Sequence, residues 1–248
     1  MSDRALLLIP GLMCDEAVWA PQIGALSGHA QMEVARHELR DSLGAMAEAI
    51  IARAPPRFAL AGHSMGGRVA FEVMRRASAR VIGLALLDTA YLPRPAGAAG
   101  ERERLGRLEL VELARREGMR AMGRRWLHTP MVHPDRLKDE TLIESILAMI
   151  ERSSPEQFQA QVRALLERPD ASSLLPGIRC PTLVLCGGDD AWATPGVHRQ
   201  LAALIPGSRL VSIPDCGHMA TMERPGAVSD ALLEWWETVS AADSRAAP

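Results

Sequence analysis

A chain of 248 residues, 48% hydrophobic and 23% charged, has the composition of a folded globular protein, long enough for one large α/β domain or a domain with an insertion. Its net charge of -2 gives no reason to expect nucleic acid or an anionic membrane as a partner. No apolar run approaches the roughly 20 residues of a membrane span, and Ala5 to Ile9 is too short for the core of a signal peptide, so a cytoplasmic protein is expected.

Ala5-Leu6-Leu7-Leu8-Ile9 is a continuous apolar run, the pattern of a strand covered on both faces in a parallel sheet. It ends in Pro10-Gly11-Leu12-Met13, and a short helix follows from Val18 to Leu26. Met32 to Ala35 reads as a weaker strand. Residues 42–53 read as a helix capped by Asp41 or Ser42 and stopped by Pro55-Pro56. Phe58 to Ala61 then ends a buried strand and runs into Gly62-His63-Ser64-Met65-Gly66. Beyond it Val69, Val73 and Ala77 recur at helical spacing, with Arg68–Glu72 and Glu72–Arg76 placed to pair. Val81 to Leu87 and Thr182 to Cys186 are further buried strands. A helix from Pro195 to Leu204, a last strand from Arg209 to Ile213 and a terminal helix from Pro225 to Val239 complete the alternation. Strands alternating with helices predict a parallel sheet with helices on both faces.

Residues 92–176 break this rhythm. No strand-like run occurs, and Leu142, Ile146, Met149 and Ile150 lie on one helical face, as do Phe158, Val162, Leu165 and Leu166. Ser154-Pro155-Glu156-Gln157 has the form of a capping box, and another helix spans roughly Arg102 to Glu117. The expected organisation is a core of residues 1–91 and 177–241, a helical cap or lid of residues 92–176, and a disordered tail of residues 242–248. Ligands of such sheets bind beyond the carboxyl ends of the strands, where this insertion emerges.

Gly-x-Ser-x-Gly between a strand and a helix is the context of a nucleophile elbow. Glycines on either side let strand and helix pass close together, and the serine sits exposed at the apex of strained backbone. A bare Gly-x-Ser-x-Gly arises by chance in roughly one chain in ten of this length, so the rest of the site has to support it. Ser64 needs a base. Of the seven histidines, His29, His37 and His198 lie away from strand ends, His128 and His133 lie in the insertion, and His63 points away from the serine. Only His218 follows the carboxyl end of a core strand. The imidazole needs an orienting carboxylate, and Asp189 and Asp190 both lie just past the strand from Thr182 to Cys186.

On these segments, together with Leu8-Ile9-Pro10-Gly11-Leu12 and Cys216-Gly217-His218-Met219, the chain resembles the α/β-hydrolase superfamily over nearly its whole length. It is most similar to small bacterial members with a helical cap, including enol-lactonases, small-ester hydrolases and carbon–carbon bond hydrolases. The resemblance implies the α/β-hydrolase fold with a mostly parallel sheet of about six strands. It also implies the catalytic order Ser64, Asp190, His218, the acid standing three residues after the first glycine of Gly187-Gly188-Asp189-Asp190. Asp189 remains an alternative, as does Asp88, since some members carry the acid after the strand that follows the elbow helix. The oxyanion hole falls to the backbone N–H groups of Leu12 and Met65.

Met13, Tyr91, Trp126, Trp192 and Met219 adjoin these loops or the lid and predict an apolar pocket for a small hydrophobic or aromatic acyl group. Lys138 is the only lysine, and the excess of arginines beside many alanines reads as a coding bias, not as a phosphate-binding set. No cofactor and no metal are expected. Cys14, Cys180, Cys186 and Cys216 fit no zinc spacing and read as reduced thiols. The expected partner is a small-molecule substrate, with the chain a monomer or homodimer.

The leading expectation is a serine hydrolase that cleaves a small carboxylic ester or lactone through an acyl-enzyme. A carbon–carbon hydrolase or eliminating lyase on the same triad is the first alternative, which an arginine aimed into the pocket from the lid would favour. A receptor-like binding protein with little turnover is the second.

Overall fold

A computed structural model describes residues 4–246. In chain order the regular elements are β1 (Ala5–Ile9), α1 (Ala20–Leu26), β2 (Gln31–Val34), α2 (Leu43–Arg53), β3 (Phe58–His63), α3 (Met65–Ala77) and β4 (Val81–Leu87). Next come α4 (Gly97–Glu117), α5 (Met119–Leu127), α6 (Glu140–Glu151) and α7 (Pro155–Leu166). The chain ends with β5 (Thr182–Gly187), α8 (Pro195–Leu204), β6 (Arg209–Ile213), α9 (Ala220–Glu223) and α10 (Pro225–Ala246).

The six strands form one sheet in the order β2-β1-β3-β4-β5-β6, and every neighbouring pair is parallel. The chain steps one way from β1 to β2 and the other way for the remaining crossovers. Right-handed connections therefore put α1 on one face and α2, α3 and α8 on the other. α10 packs against α1, and α2 against α3, so both faces are covered. This explains why β3, β4 and β5 are buried at every residue while β2 and β6, at the edges, are half exposed. Among the described residues no helix is long and apolar enough to cross a membrane.

Between β4 and β5 the chain forms α4 to α7 and adds no strand to the sheet. Ser154 Oγ accepts the Gln157 N–H while the Gln157 side chain accepts the Ser154 N–H, so α7 starts in the expected capping box. α5 has no counterpart in the sequence reading. Its stretch carries Gly123 and three arginines, which dilute the apolar repeat, yet Met119, Met122 and Trp126 are buried against the rest of the insertion. At the other end, Ser42 rather than Asp41 caps α2, accepting the Ala45 N–H.

The tail departs from expectation. α10 runs on through Ala246 instead of ending at Val239. Its last turns are held by Asp243, which pairs with Arg4 and Arg57 from the amino ends of β1 and β3. The remaining residues of the expected disordered tail, 247–248, lie outside the described residues.

Candidate active site

Five non-glycine residues with positive φ are described: Met13, Glu38, Ser64, Asp88 and Asp215. Each lies in a loop just after a strand, so backbone strain collects at the carboxyl edge of the sheet, where the site is built. Ser64 has φ 54° and ψ -115° between β3 and α3. Its N–H donates to Leu87 O, and its own carbonyl accepts the Thr89 hydroxyl and the Gly67 N–H. A Cβ on Gly66 would overlap the Ile9 carbonyl, so only glycine lets α3 start this close to β1.

His218 follows β6 and reaches Ser64 from across the sheet. Ser64 Oγ lies 2.8 Å from His218 Nε2, and His218 Nδ1 lies 2.8 Å from Asp190 Oδ2. The other Asp190 oxygen accepts the N–H groups of Trp192 and Ala193, which fixes the carboxylate's orientation. Burial alone would raise the Asp190 pKa, but His218 and these N–H donors outweigh it, so the carboxyl sits below the usual carboxylate value. The carboxylate selects the tautomer with the proton on Nδ1, leaving Nε2 to accept from the serine.

The other two aspartates are placed elsewhere. Asp189 is exposed and faces His133 at 3.8 Å. Asp88 is fully buried, and its oxygens accept the N–H groups of Gly187 and Ala220. Burial, reinforced by Asp190, raises its pKa well above the ordinary value. Asp88 thus ties the acid-bearing loop to the histidine-bearing loop without touching the imidazole of His218.

Residues to which the sequence reading gave no role in the site hold the histidine in place. Glu223 is buried and accepts the N–H groups of Gly217, Met219 and His133. His63 Nε2–H donates to His218 O, and Met131 O accepts the His218 N–H. Burial, then the neighbouring His218, holds the His63 imidazole down at about 4, so it is a neutral donor. His198, also buried, accepts the Thr89 N–H. Glu223 stands in the Glu-Arg-Pro run after the histidine, but nothing in the sequence marks it as aimed back at the loop.

The loop after β1 has a support of its own. The Met13 N–H donates to Gln161 Oε1 on α7, and His37 Nε2–H donates to Pro10 O. Among the described residues neither the Leu12 nor the Met65 N–H has a hydrogen-bond acceptor. Leu12, Met65, Ser64 and His218 all line one cavity of about 310 Å³.

Three of the five expected pocket residues, Trp126, Trp192 and Met219, line that cavity. Met13 and Tyr91 do not. Met13 is turned by its positive φ of 60° and is buried in the core, and Tyr91 is buried with its hydroxyl donating to Gln200 on α8. The cavity is also less apolar than expected, since Arg68, Glu103, Arg107 and Arg168 line it. The sequence placed Arg68 to pair with Glu72, but Glu72 is taken by Arg75 and Arg76, and Arg68 Nη1 donates to Leu92 O.

All four cysteines are free, and burial pushes the Cys14 thiol, which lines the cavity, up to about 12. No group of three or more His, Cys, Asp or Glu placed to hold a metal occurs among the described residues.

Residues 6–231 match the profile of the alpha/beta hydrolase family. The chain belongs to this family. It is therefore an enzyme of the hydrolase type. A thermophilic esterase from Thermogutta terrifontis, solved with malate bound, superposes with a TM-score of 0.83 at 30% identity, covering 96% of this chain and 91% of that one. The enol-lactonase from Burkholderia xenovorans LB400 shares the fold at a TM-score of 0.80 and 24% identity, covering 95% of this chain and 92% of that one. Among curated proteins, a pimeloyl-(acyl-carrier protein) methyl ester esterase of Nitrosomonas europaea is 24% identical over 230 residues, 89% of this chain and 90% of that protein. BpoC of Mycobacterium tuberculosis is 32% identical over 108 residues, and that match spans only 42% of this chain and 41% of BpoC.

Proposed function

We propose that this hydrolase cleaves a small carboxylic ester or lactone through an acyl-enzyme on Ser64. The observation that carries the reading is the unbroken chain from Asp190 through His218 to Ser64, 2.8 Å at each link. In this reading His218 Nε2 takes the serine proton as Oγ attacks the carbonyl carbon. Asp190 holds the imidazole and stabilises the imidazolium that forms. The unpaired N–H groups of Leu12 and Met65 receive the developing oxyanion. His218 then protonates the leaving oxygen, and water activated by the same imidazole releases the acid. The strained turn at Ser64 acts as a nucleophile elbow.

Residues 92–176 act as the lid of this site. Three hydrogen bonds support that role, because each joins the insertion to the core beside the site: Gln161 to Met13, Met131 to His218 and His133 to Glu223.

A second reading has one observation in its favour. Arg107 and Arg168 line the cavity from the insertion, as elimination or carbon–carbon cleavage on the same triad would use them. Turnover of p-nitrophenyl acetate and a panel of short esters and lactones separates the readings. Hydrolysis by the wild type that is lost in Ser64→Ala supports the esterase. Full activity of Ser64→Ala overturns it. Absence of turnover on every ester and lactone also overturns it, and leaves elimination or simple ligand binding.

A further inference from the structure

The cavity beside Ser64 carries more positive charge than its own wall neutralises. Arg68 on α3, Arg107 on α4 and Arg168 just after α7 all line it, and Glu103 on α4 is the one carboxylate they share. Arg168 grips both Glu103 oxygens, at 2.7 and 2.8 Å, and Arg107 Nε reaches the same carboxylate at 3.0 Å. Arg68 makes no ion pair among the described residues, and its hydrogen bond to Leu92 O leaves most of its donors free. Arg168 has a side-chain exposure of only 8%, and its Nε–H is buried with no acceptor. The remaining carboxylate of the wall, Asp88, accepts the backbone N–H groups of Gly187 and Ala220.

Three guanidiniums facing one carboxylate leave two positive charges in a half-closed space. A desolvated charge without a counter-ion is costly, and so is a buried donor without an acceptor. Burial, followed by the repulsion of Arg168 and Arg107, brings the Arg68 guanidinium down to about 9, still protonated at neutral pH. An anion entering the cavity would supply the missing counter-ion.

We infer that the cavity takes the free carboxylate of the substrate at Arg68, backed by Arg168 and Arg107, so that the ester or lactone cleaved at Ser64 belongs to a short dicarboxylic acid. This rests on the hydrolytic reading of Ser64. The free edge of a guanidinium presents parallel N–H donors that match a planar carboxylate. A cavity of about 310 Å³ holds a small molecule and lies at the lower end of ligand-pocket sizes. Arg68 follows Ser64 by four residues, about 6 Å of helical rise. That spacing suits a diacid of roughly four to six carbons, with one end at each residue. Trp192, whose ring lies under the Arg107 guanidinium at 5.6 Å, closes the same side of the cavity.

Two measurements test this, one free of chemistry. Glutarate should bind the wild type saturably in calorimetry, and Arg68→Met should weaken that binding on the order of 10- to 100-fold, the worth of a charged hydrogen-bonded contact. Arg68→Lys should recover part of the loss. In a pH-stat assay the wild type should favour monomethyl glutarate over methyl valerate by at least roughly tenfold in kcat/KM, and Arg68→Met should collapse that ratio. Absence of glutarate binding to the wild type overturns the inference. So does inorganic phosphate competing as well as glutarate, or a folded Arg68→Met that binds glutarate like the wild type. Should Arg68→Met fail to fold, the wild-type ester ratio decides, and a ratio near one overturns the inference. Tight glutarate binding without hydrolysis of any ester would overturn the hydrolytic reading and leave the carboxylate site standing.

Discussion

Replacing Glu223 with glutamine changes one atom of a buried side chain, and it should damage both stability and catalysis. Glu223 Oε1 accepts the N–H groups of Gly217 and Met219, and Oε2 those of Gly217 and His133, at 2.8 to 3.1 Å. The amide keeps one acceptor oxygen and turns an NH2 group toward donors at the other end. At least one buried N–H loses its acceptor, at about 1–3 kcal/mol, and the surviving bonds lose their charge assistance. A total of about 2–4 kcal/mol follows, a large share of the 5–15 kcal/mol typical of a domain. Gly217 and Met219 flank His218, so the imidazole loses its fixed position as well. A misplacement on the order of 1 Å costs about 100-fold in rate. The assay is a urea melt at pH 7, followed by kcat on p-nitrophenyl acetate at a temperature where the variant is fully folded. An unchanged midpoint would refute the anchoring argument. A lowered midpoint with wild-type kcat would show that Glu223 supports the fold without positioning His218.

Other outcomes follow from the same contacts. Asp190→Asn should lower kcat by several orders of magnitude, roughly 10⁴-fold by analogy with other triads, because the amide favours the wrong imidazole tautomer. Asp189→Asn should stay close to wild type, and the ratio of the two rates checks the assignment of the acid. Gln161→Leu should leave the Met13 N–H buried without an acceptor and loosen the Leu12 donor beside it. About 1–3 kcal/mol of stability and a fall in kcat larger than the change in KM are expected from denaturant melts and steady-state kinetics. The pH dependence has a defined sign at His63. Its folded pKa, about 4, lies below the unfolded 6.5, so its contribution is complete above 6.5 and is lost as pH falls toward 4, up to about 3 kcal/mol. Asp88, whose folded pKa is raised, acts with the opposite sign, its contribution being lost as pH rises. His63→Asn should therefore flatten the fall in urea midpoint between pH 6.5 and 4, and an unchanged slope would contradict the shift.

The sheet was legible because a parallel strand covered on both faces needs an unbroken apolar run, and four of the six strands have one. Ser64 was legible for a related reason, since it follows such a run at a turn with glycine, and His218 because it stands in a glycine-containing loop after the last strand. What holds them was not. His63 and Gln161 act through backbone groups far away in the chain, Glu223 joins its own loop to the distant His133, and a carboxylate that accepts three backbone N–H groups looks in sequence like any surface glutamate. α5 was hidden because its buried methionines and Trp126 are interleaved with arginines that face outward. Arg68 was read as half of an i,i+4 pair, since spacing along a helix says which partners are in reach and not which are already taken. The same blindness turned the pocket arginines into a matter of coding bias. Their meaning depends on Arg107 and Arg168 sharing Glu103 while Arg68 makes no ion pair among the described residues, which is a fact of packing between α3 and the insertion.

The central claim is that Ser64 carries the acyl group. The most direct measurement is mass spectrometry of the wild-type enzyme quenched in acid during turnover of p-nitrophenyl acetate. The account predicts an acetyl group on the peptide containing Ser64, absent after Ser64→Ala. Steady hydrolysis with no adduct on that peptide, or an adduct on another residue, would contradict it.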